Sequence, residues 1–130
     1  LYLQGFGVPV SNLSPPLEFN SSYKTYSSTP DTGRGFCSSC GSSIAFHDKR
    51  EPDIVEVNVG ALDEEVLIGR KDEEKGARWG GWGKVLGTPS RHIFCENEIP
   101  GVTDGFEGDK WLRDTKDGER FRGKARDPNK

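Results

Sequence analysis

The sequence predicts an all-β fold, and three observations carry that prediction. Seventeen glycines and eight prolines among 130 residues, with few Leu or Ala, favour short strands and turns over helices. Residues 54–59 (IVEVNV) alternate apolar and polar side chains with the period of a strand that packs on one side and meets water on the other. The turn Cys37-Ser38-Ser39-Cys40-Gly41 lies between two strand-like runs, the arrangement of a metal knuckle at the tip of a hairpin.

Taken in order, residues 1–10 (LYLQGFGVPV) are mostly apolar and read as a strand that needs a partner. Residues 11–16 (SNLSPP) are turn chemistry, because Pro15 and Pro16 lack the amide donors of a sheet ladder. Short strands are expected at 17–19 and 23–27, then a turn at 29–33 (TPDTG). Residues 34–37 lead into the cysteine turn and 42–47 (SSIAFH) lead out, with Ile44 and Phe46 on one face. In the 54–59 strand Val55, Val57 and Val59 face one way, Glu56 and Asn58 the other.

Farther on, 64–87 holds a charge run at 70–75 (RKDEEK) and then a glycine and tryptophan cluster, and reads as a solvated loop or insertion. Residues 89–96 (PSRHIFCE) read as another strand, with His92 and Phe94 on one face and Ile93 and Cys95 on the opposite one. The stretch 114–130 is dense in charge and poor in apolar groups, and is expected to be a disordered tail.

Composition excludes several classes. The length suits one domain, and 32% hydrophobic residues leave a thin core. With 18 basic and 21 acidic residues and a formal charge of -3, no basic field of the kind that holds nucleic acid is present. No apolar run approaches the roughly 18 residues needed to cross a bilayer. Three cysteines cannot all pair and no leader pattern opens the sequence as given, which points to a reducing, cytoplasmic setting. The absence of Met suggests a processed N-terminus or a fragment.

Cys37 and Cys40 are the candidate metal ligands, because a two-residue bridge curls the chain until both sulfurs converge, and Gly41 lets the backbone pass the ion. The alternatives are two small buried residues at a turn, or a redox dithiol. A thioredoxin-like site wants a strand-to-helix context that residues 41–46 do not supply. A closed structural zinc takes four ligands, and beyond this pair the sequence offers only Cys95, His47 and His92 among cysteines and histidines. Residues three apart on a strand face opposite ways, so Cys95 does not join His92 and counts as a small core residue. His92 either lines a cleft or bonds a backbone carbonyl, and His47 reads as a surface residue at a strand end. Trp79, Trp82 and Trp111 read as packing residues ahead of a stacking platform. Asp63 reads as a turn acid that bonds its own backbone.

The order of these signals resembles the glutathione-dependent formaldehyde-activating enzyme and centromere protein V family. A glycine-rich approach to Phe-Cys-x-x-Cys-Gly spans 33–41, and Val-x-Val-x-x-Gly-x-Leu-Asp spans 55–63. Pro-x-x-His-Ile-Phe spans 89–94, and Trp111 follows. The resemblance covers 1–113 and leaves the tail outside it. It implies a small beta-tent of folded antiparallel sheets with a zinc-knuckle hairpin and zinc as cofactor. A structural zinc would be held by Cys37, Cys40 and a Cys-x-Cys pair encoded before Leu1. A catalytic zinc would be held by a further cysteine cluster, also before Leu1, so no catalytic residue is assigned to this sequence. The implied activity is that of a carbon-sulfur lyase acting on thiol adducts of small aldehydes, such as glutathione conjugates of formaldehyde. The centromere branch implies instead a non-catalytic zinc-stabilised binding or scaffold module.

Overall fold

A computed structural model describes residues 3–121. The chain divides into two compact units, one spanning Leu3–Gly87 and one starting at Thr88. The all-β expectation holds: the first unit is built on a five-stranded antiparallel sheet, β1 (Gly5–Pro9), β2 (Tyr23–Thr29), β3 (Thr32–Cys37), β4 (Ser43–Asp48) and β5 (Ile54–Asn58). In space the order is β1-β5-β4-β3-β2, so strands two to five form a meander and β1 closes on the far edge beside β5. Pro9 ends β1 opposite Ile54. An edge strand is where a residue without an amide proton costs no ladder bond.

Directly opposed residues share a face, and the register therefore assembles the core. Phe6 lies opposite Val57 and Val8 opposite Val55. Val57 in turn opposes Ala45, and Val55 opposes His47. Gly33 and Gly35 oppose His47 and Ala45. Val55 is 0%, Ala45 2% and Tyr23 7% exposed, and these three are the centre of a thin core. Complete burial of a valine contributes about 1.5–3 kcal/mol.

Several sequence expectations are corrected here. Residues 17–19 form a 3-10 turn, not a strand, because the prolines before them leave a carbonyl at Pro16 that the Phe19 amide bonds at 3.0 Å. Val59 leaves the β5 alternation for a 3-10 turn, Val59–Ala61. Asn58 is 4% exposed, where water was expected, and its amide Nδ2 donates to Ser43 Oγ at 2.9 Å. The β3–β4 register slips between Gly35 and Phe36, leaving Ile44 without an opposed residue on β3. On the other face of the sheet the Arg34 guanidinium sits 5.7 Å from the centre of the Phe46 ring.

Residues 64–87 are more ordered than a solvated loop. Helix α1 (Glu64–Ile68) leads through Gly69 to the ladder of β6 (Arg70–Lys71) with β7 (Arg78–Trp79), and α2 (Gly83–Gly87) follows. Asp63 sits at the N-cap with its carbonyl accepting the Val66 and Leu67 amides, without a side-chain capping bond. Glu64 and Glu65 place negative charge in the first turn, where exposed backbone amides favour it. The charge run closes as a tight turn because the Asp72 carboxylate accepts the amides of Glu74 and Lys75, each at 2.9 Å. The glycines that follow permit backbone-to-backbone contact: a Cβ on Gly81 or Gly83 would lie 2.5 Å from the Leu67 carbonyl oxygen. Trp79 and Trp82 do not fill a core; they are 59% and 62% exposed.

The second unit carries a two-residue parallel ladder, β8 (Arg91–His92) with β9 (Asp109–Lys110). The strand expected over 89–96 stops early because Phe94 adopts a left-handed φ of 57° and Cys95–Asn97 turn as a 3-10 helix. His92 stacks on Phe106 at 5.8 Å, and its Nε2 donates to the Glu107 carbonyl at 2.7 Å. Of its two expected roles, the structure shows the carbonyl bond. Lys110 pairs with the Glu98 carboxylate, whose side chain is 4% exposed. Arg120 lies 4.2 Å from the Trp111 ring centre. Of the expected tail, 114–121 includes the 3-10 turn Thr115–Asp117 and a bridge from Arg120 to Trp111, while 122–130 lie outside the described residues.

Candidate metal centre

The Cys37–Gly41 turn is fixed from three directions before its thiols are considered. Gly41 N–H donates to the Cys37 carbonyl at 2.7 Å, and Cys37 N–H donates to the Ser42 carbonyl at 2.9 Å. Gly41 has φ +78°, and a Cβ there would meet nothing within 4 Å. Glycine is therefore demanded by the left-handed backbone and not by a crowded approach. The two bridging serines anchor the turn to the residue before β2. Ser38 N–H and Oγ both bond the Ser22 carbonyl, at 2.7 and 3.0 Å, and Ser39 Oγ bonds Ser22 Oγ at 3.2 Å.

On this frame Cys37 is half-buried and Cys40 exposed, and neither is in a disulfide. Ser42 Oγ lies 3.2 Å from Cys40 Sγ. The Ser42 hydroxyl, then its amide, then the Cys37 thiol hold the Cys40 thiol below its ordinary pKa, since each bond favours the thiolate. Cys95 is the contrast, 6% exposed, with burial as the main cause raising its thiol pKa. In metal-free protein, iodoacetamide should modify Cys40 from a lower pH than Cys95, and Ser42→Ala should move the Cys40 midpoint upward. A Cys40 profile unchanged in Ser42→Ala, read by peptide mass, would count against this assignment.

Two soft donors on one backbone-locked turn, at Cys-x-x-Cys spacing, match half the ligand set of a structural zinc. Among the described residues no third His, Cys, Asp or Glu joins them. Comparison with known proteins finds no matching family model, no matching curated protein and no matching solved structure. The site is therefore read from its own geometry.

His47 is not a free surface residue. Its Nε2 lies 2.5 Å from the Tyr23 hydroxyl oxygen, with the two rings edge to face at 6.2 Å. Tyr23 itself stands opposite Cys37, so it bridges the knuckle and the middle of the sheet. Burial, then the nearby Glu18 carboxylate, push its phenol up to about 12. Sequence reasoning missed this pair. The signal was Gly33-Arg34-Gly35: the Gly33 Cα faces the His47 side chain at 3.4 Å from the position of a Cβ, and the Tyr23 hydroxyl occupies the space a Gly35 Cβ would need.

Proposed function

We propose that this chain belongs to a zinc-dependent protein of the formaldehyde-activating enzyme and centromere protein V type. Cys37 and Cys40 supply two of the four ligands of its structural zinc. The observation that carries the reading is the pair of free cysteines, two residues apart, on a backbone-locked turn at the tip of the β3–β4 hairpin. The motif order supports it: the glycine-rich approach is β3, the Val-x-Val segment is β5, and His92 of the Pro-x-x-His-Ile-Phe segment lies on β8. The activity proposed for the whole protein is carbon-sulfur bond making and breaking on thiol adducts of small aldehydes, such as glutathione conjugates, in a cytoplasmic setting. The zinc at Cys37 and Cys40 would cross-link the hairpin tip, and a second, catalytic zinc would stabilise a bound thiol as its thiolate. This chain's own residues would hold the turn, keep Cys40 ready to ligate and brace the knuckle through Tyr23 and His47. Among the described residues no helix is long and apolar enough to cross a membrane.

A non-catalytic zinc-stabilised binding module is the second reading, favoured by the exposed indoles of Trp79 and Trp82, which offer apolar surface for a partner. Metal analysis and thermal unfolding with and without a chelator test the zinc; bound zinc and a lower Tm with chelator are expected, and both effects should vanish in Cys37→Ser. A melting curve indifferent to chelator would remove the metal reading. Turnover of a glutathione-formaldehyde adduct, followed by NMR, separates the enzyme from the binding module.

A further inference from the structure

We infer that peroxide closes Cys37 and Cys40 into a reversible disulfide, and that this bridge and zinc exclude each other, so that an oxidant decides whether the knuckle holds its metal. The disulfide stands on the turn alone; the metal half rests on the zinc reading above.

Reach comes first. The Gly41 amide, bonded to the Cys37 carbonyl at 2.7 Å, winds residues 37–41 as a single α-turn. Residues three apart in one helical turn stand about 5 Å apart between Cα atoms, inside the roughly 4.4–6.8 Å that a disulfide spans. The bridge can close without moving β3 or β4. The frame also survives it. Ser38 N–H and Oγ bond the Ser22 carbonyl, Ser39 Oγ bonds Ser22 Oγ, and Cys37 N–H bonds the Ser42 carbonyl, and none of these contacts uses a sulfur. A turn that keeps its shape in both redox states opens and closes repeatedly.

Exposure assigns the order of events, because Cys40 is exposed and Cys37 half-buried. The Cys40 sulfur attacks one peroxide oxygen and the O–O bond breaks. The departing oxygen leaves as water with the thiol proton, and Cys40 becomes a sulfenic acid. The Cys37 sulfur then attacks the Cys40 sulfur, and the hydroxyl leaves as a second water with the Cys37 proton. Two thiols and one peroxide become one disulfide and two waters, and a small thiol reverses the bridge by being oxidised to its own disulfide. Cys95 is spared, being 6% exposed and the only cysteine from Thr88 onward, so its unit holds no resolving thiol. Zinc is bound by thiolates, which the bridge consumes, and a zinc-bound sulfur has its electron pair engaged. The turn runs into β4 and not into a helix, so the pair is a switch on the protein's own metal, distinct from a thioredoxin-like site.

The experiment treats the reduced, metal-free 130-residue chain with hydrogen peroxide, alkylates the remaining thiols with iodoacetamide and reads tryptic peptides by mass. Peptide 35–49 carries both cysteines of the turn. It should lose two hydrogens and take no alkyl group, on a chain that stays monomeric, and dithiothreitol should restore both thiols. Cys95 should remain alkylated throughout. In Cys37→Ser, Cys40 should be trapped by dimedone as the sulfenic acid. Excess zinc added before peroxide should slow bridging severalfold, and the oxidised chain should lose zinc uptake until it is reduced. Bridges between chains, over-oxidation of Cys40 without bridging, or oxidation of Cys95 as fast as Cys40 would each overturn the disulfide, whether or not zinc binds. A bridge that forms at the same rate with zinc present, on a chain that takes up none when reduced, would overturn the metal half together with the zinc reading and leave the dithiol standing. Zinc uptake unchanged by oxidation would overturn the exclusion alone.

Discussion

Gly69→Ala is expected to unfold the 64–87 segment while the five-stranded sheet survives. Gly69 closes α1 with φ 82° and ψ 171°, a region that essentially only glycine occupies, at a cost of about 1–3 kcal/mol for another residue. A Cβ there would also lie 2.0 Å from the Trp79 carbonyl oxygen and 2.9 Å from the Gly81 nitrogen. Both obstacles are backbone, so neither can rotate away. The clash adds to the strain, and a total above about 3 kcal/mol exceeds what a segment with few buried side chains can absorb. Amide exchange checks this locally. The Trp82 amide, bonded to the Val66 carbonyl at 2.8 Å, and the Leu86 amide, bonded to Trp82 at 2.9 Å, should lose protection while β4 and β5 keep theirs. Gly76→Ala separates strain from collision, because its φ is +64° but nothing lies within 4 Å of its Cβ position. It should cost about 1 kcal/mol. Equal losses in the two variants would show that the backbone contact at Gly69 is not what holds the segment.

Gly35→Ala should be the most damaging single change in the sheet. Its Cβ would fall 2.1 Å from the Tyr23 hydroxyl oxygen and within 2.7 Å of two further ring atoms, against a side chain only 7% exposed. The ring must leave its place over the strand, losing its packing and its bond to His47. Overpacking costs about 1–3 kcal/mol and the lost hydrogen bond about 1 kcal/mol more. Urea unfolding should therefore show a loss of about 3 kcal/mol, with Gly60→Ala, which meets nothing within 4 Å, close to neutral as control. Tyr23→Phe in the Gly35→Ala background should restore only part of the loss, since the ring carbon bearing the hydroxyl still lies 2.6 Å away. Strictly additive effects of the two substitutions would mean that Tyr23 and position 35 do not share the contact.

The sheet was legible where side-chain period was clean. Val55 and Val57 announced β5, and the apolar 1–10 run correctly demanded a partner, although nothing in its residues named β5 as that partner. The cysteine turn was legible as a turn between strands because its glycine and its spacing are local. What escaped was set by backbone geometry or by distant pairing. The charge run at 70–75 looked like a loop because the Asp72 carboxylate that organises it is one charge among many. Trp79 and Trp82 looked like core because indoles usually are, yet Gly81 between them serves contact between main chains and the rings stay outside. Phe94 at positive φ broke a strand that its composition favoured. The Tyr23–His47 pair needs β2, β3 and β4 side by side, and only the register supplies that.

The placement of β1 also sets an order of assembly. Strands β2 to β5 follow one another through short connections and can zip as successive hairpins, whereas β1 must wait for β5, whose first residue comes 45 positions after Pro9. Contacts that close long loops form late, so the first of the five strands in chain order should be the last to find its place. Pulse labelling during refolding should show the Glu56 and Phe46 amides, opposed to each other on β5 and β4, shielded before those of Phe6 and Val8, and simultaneous shielding would refute this sequence of events.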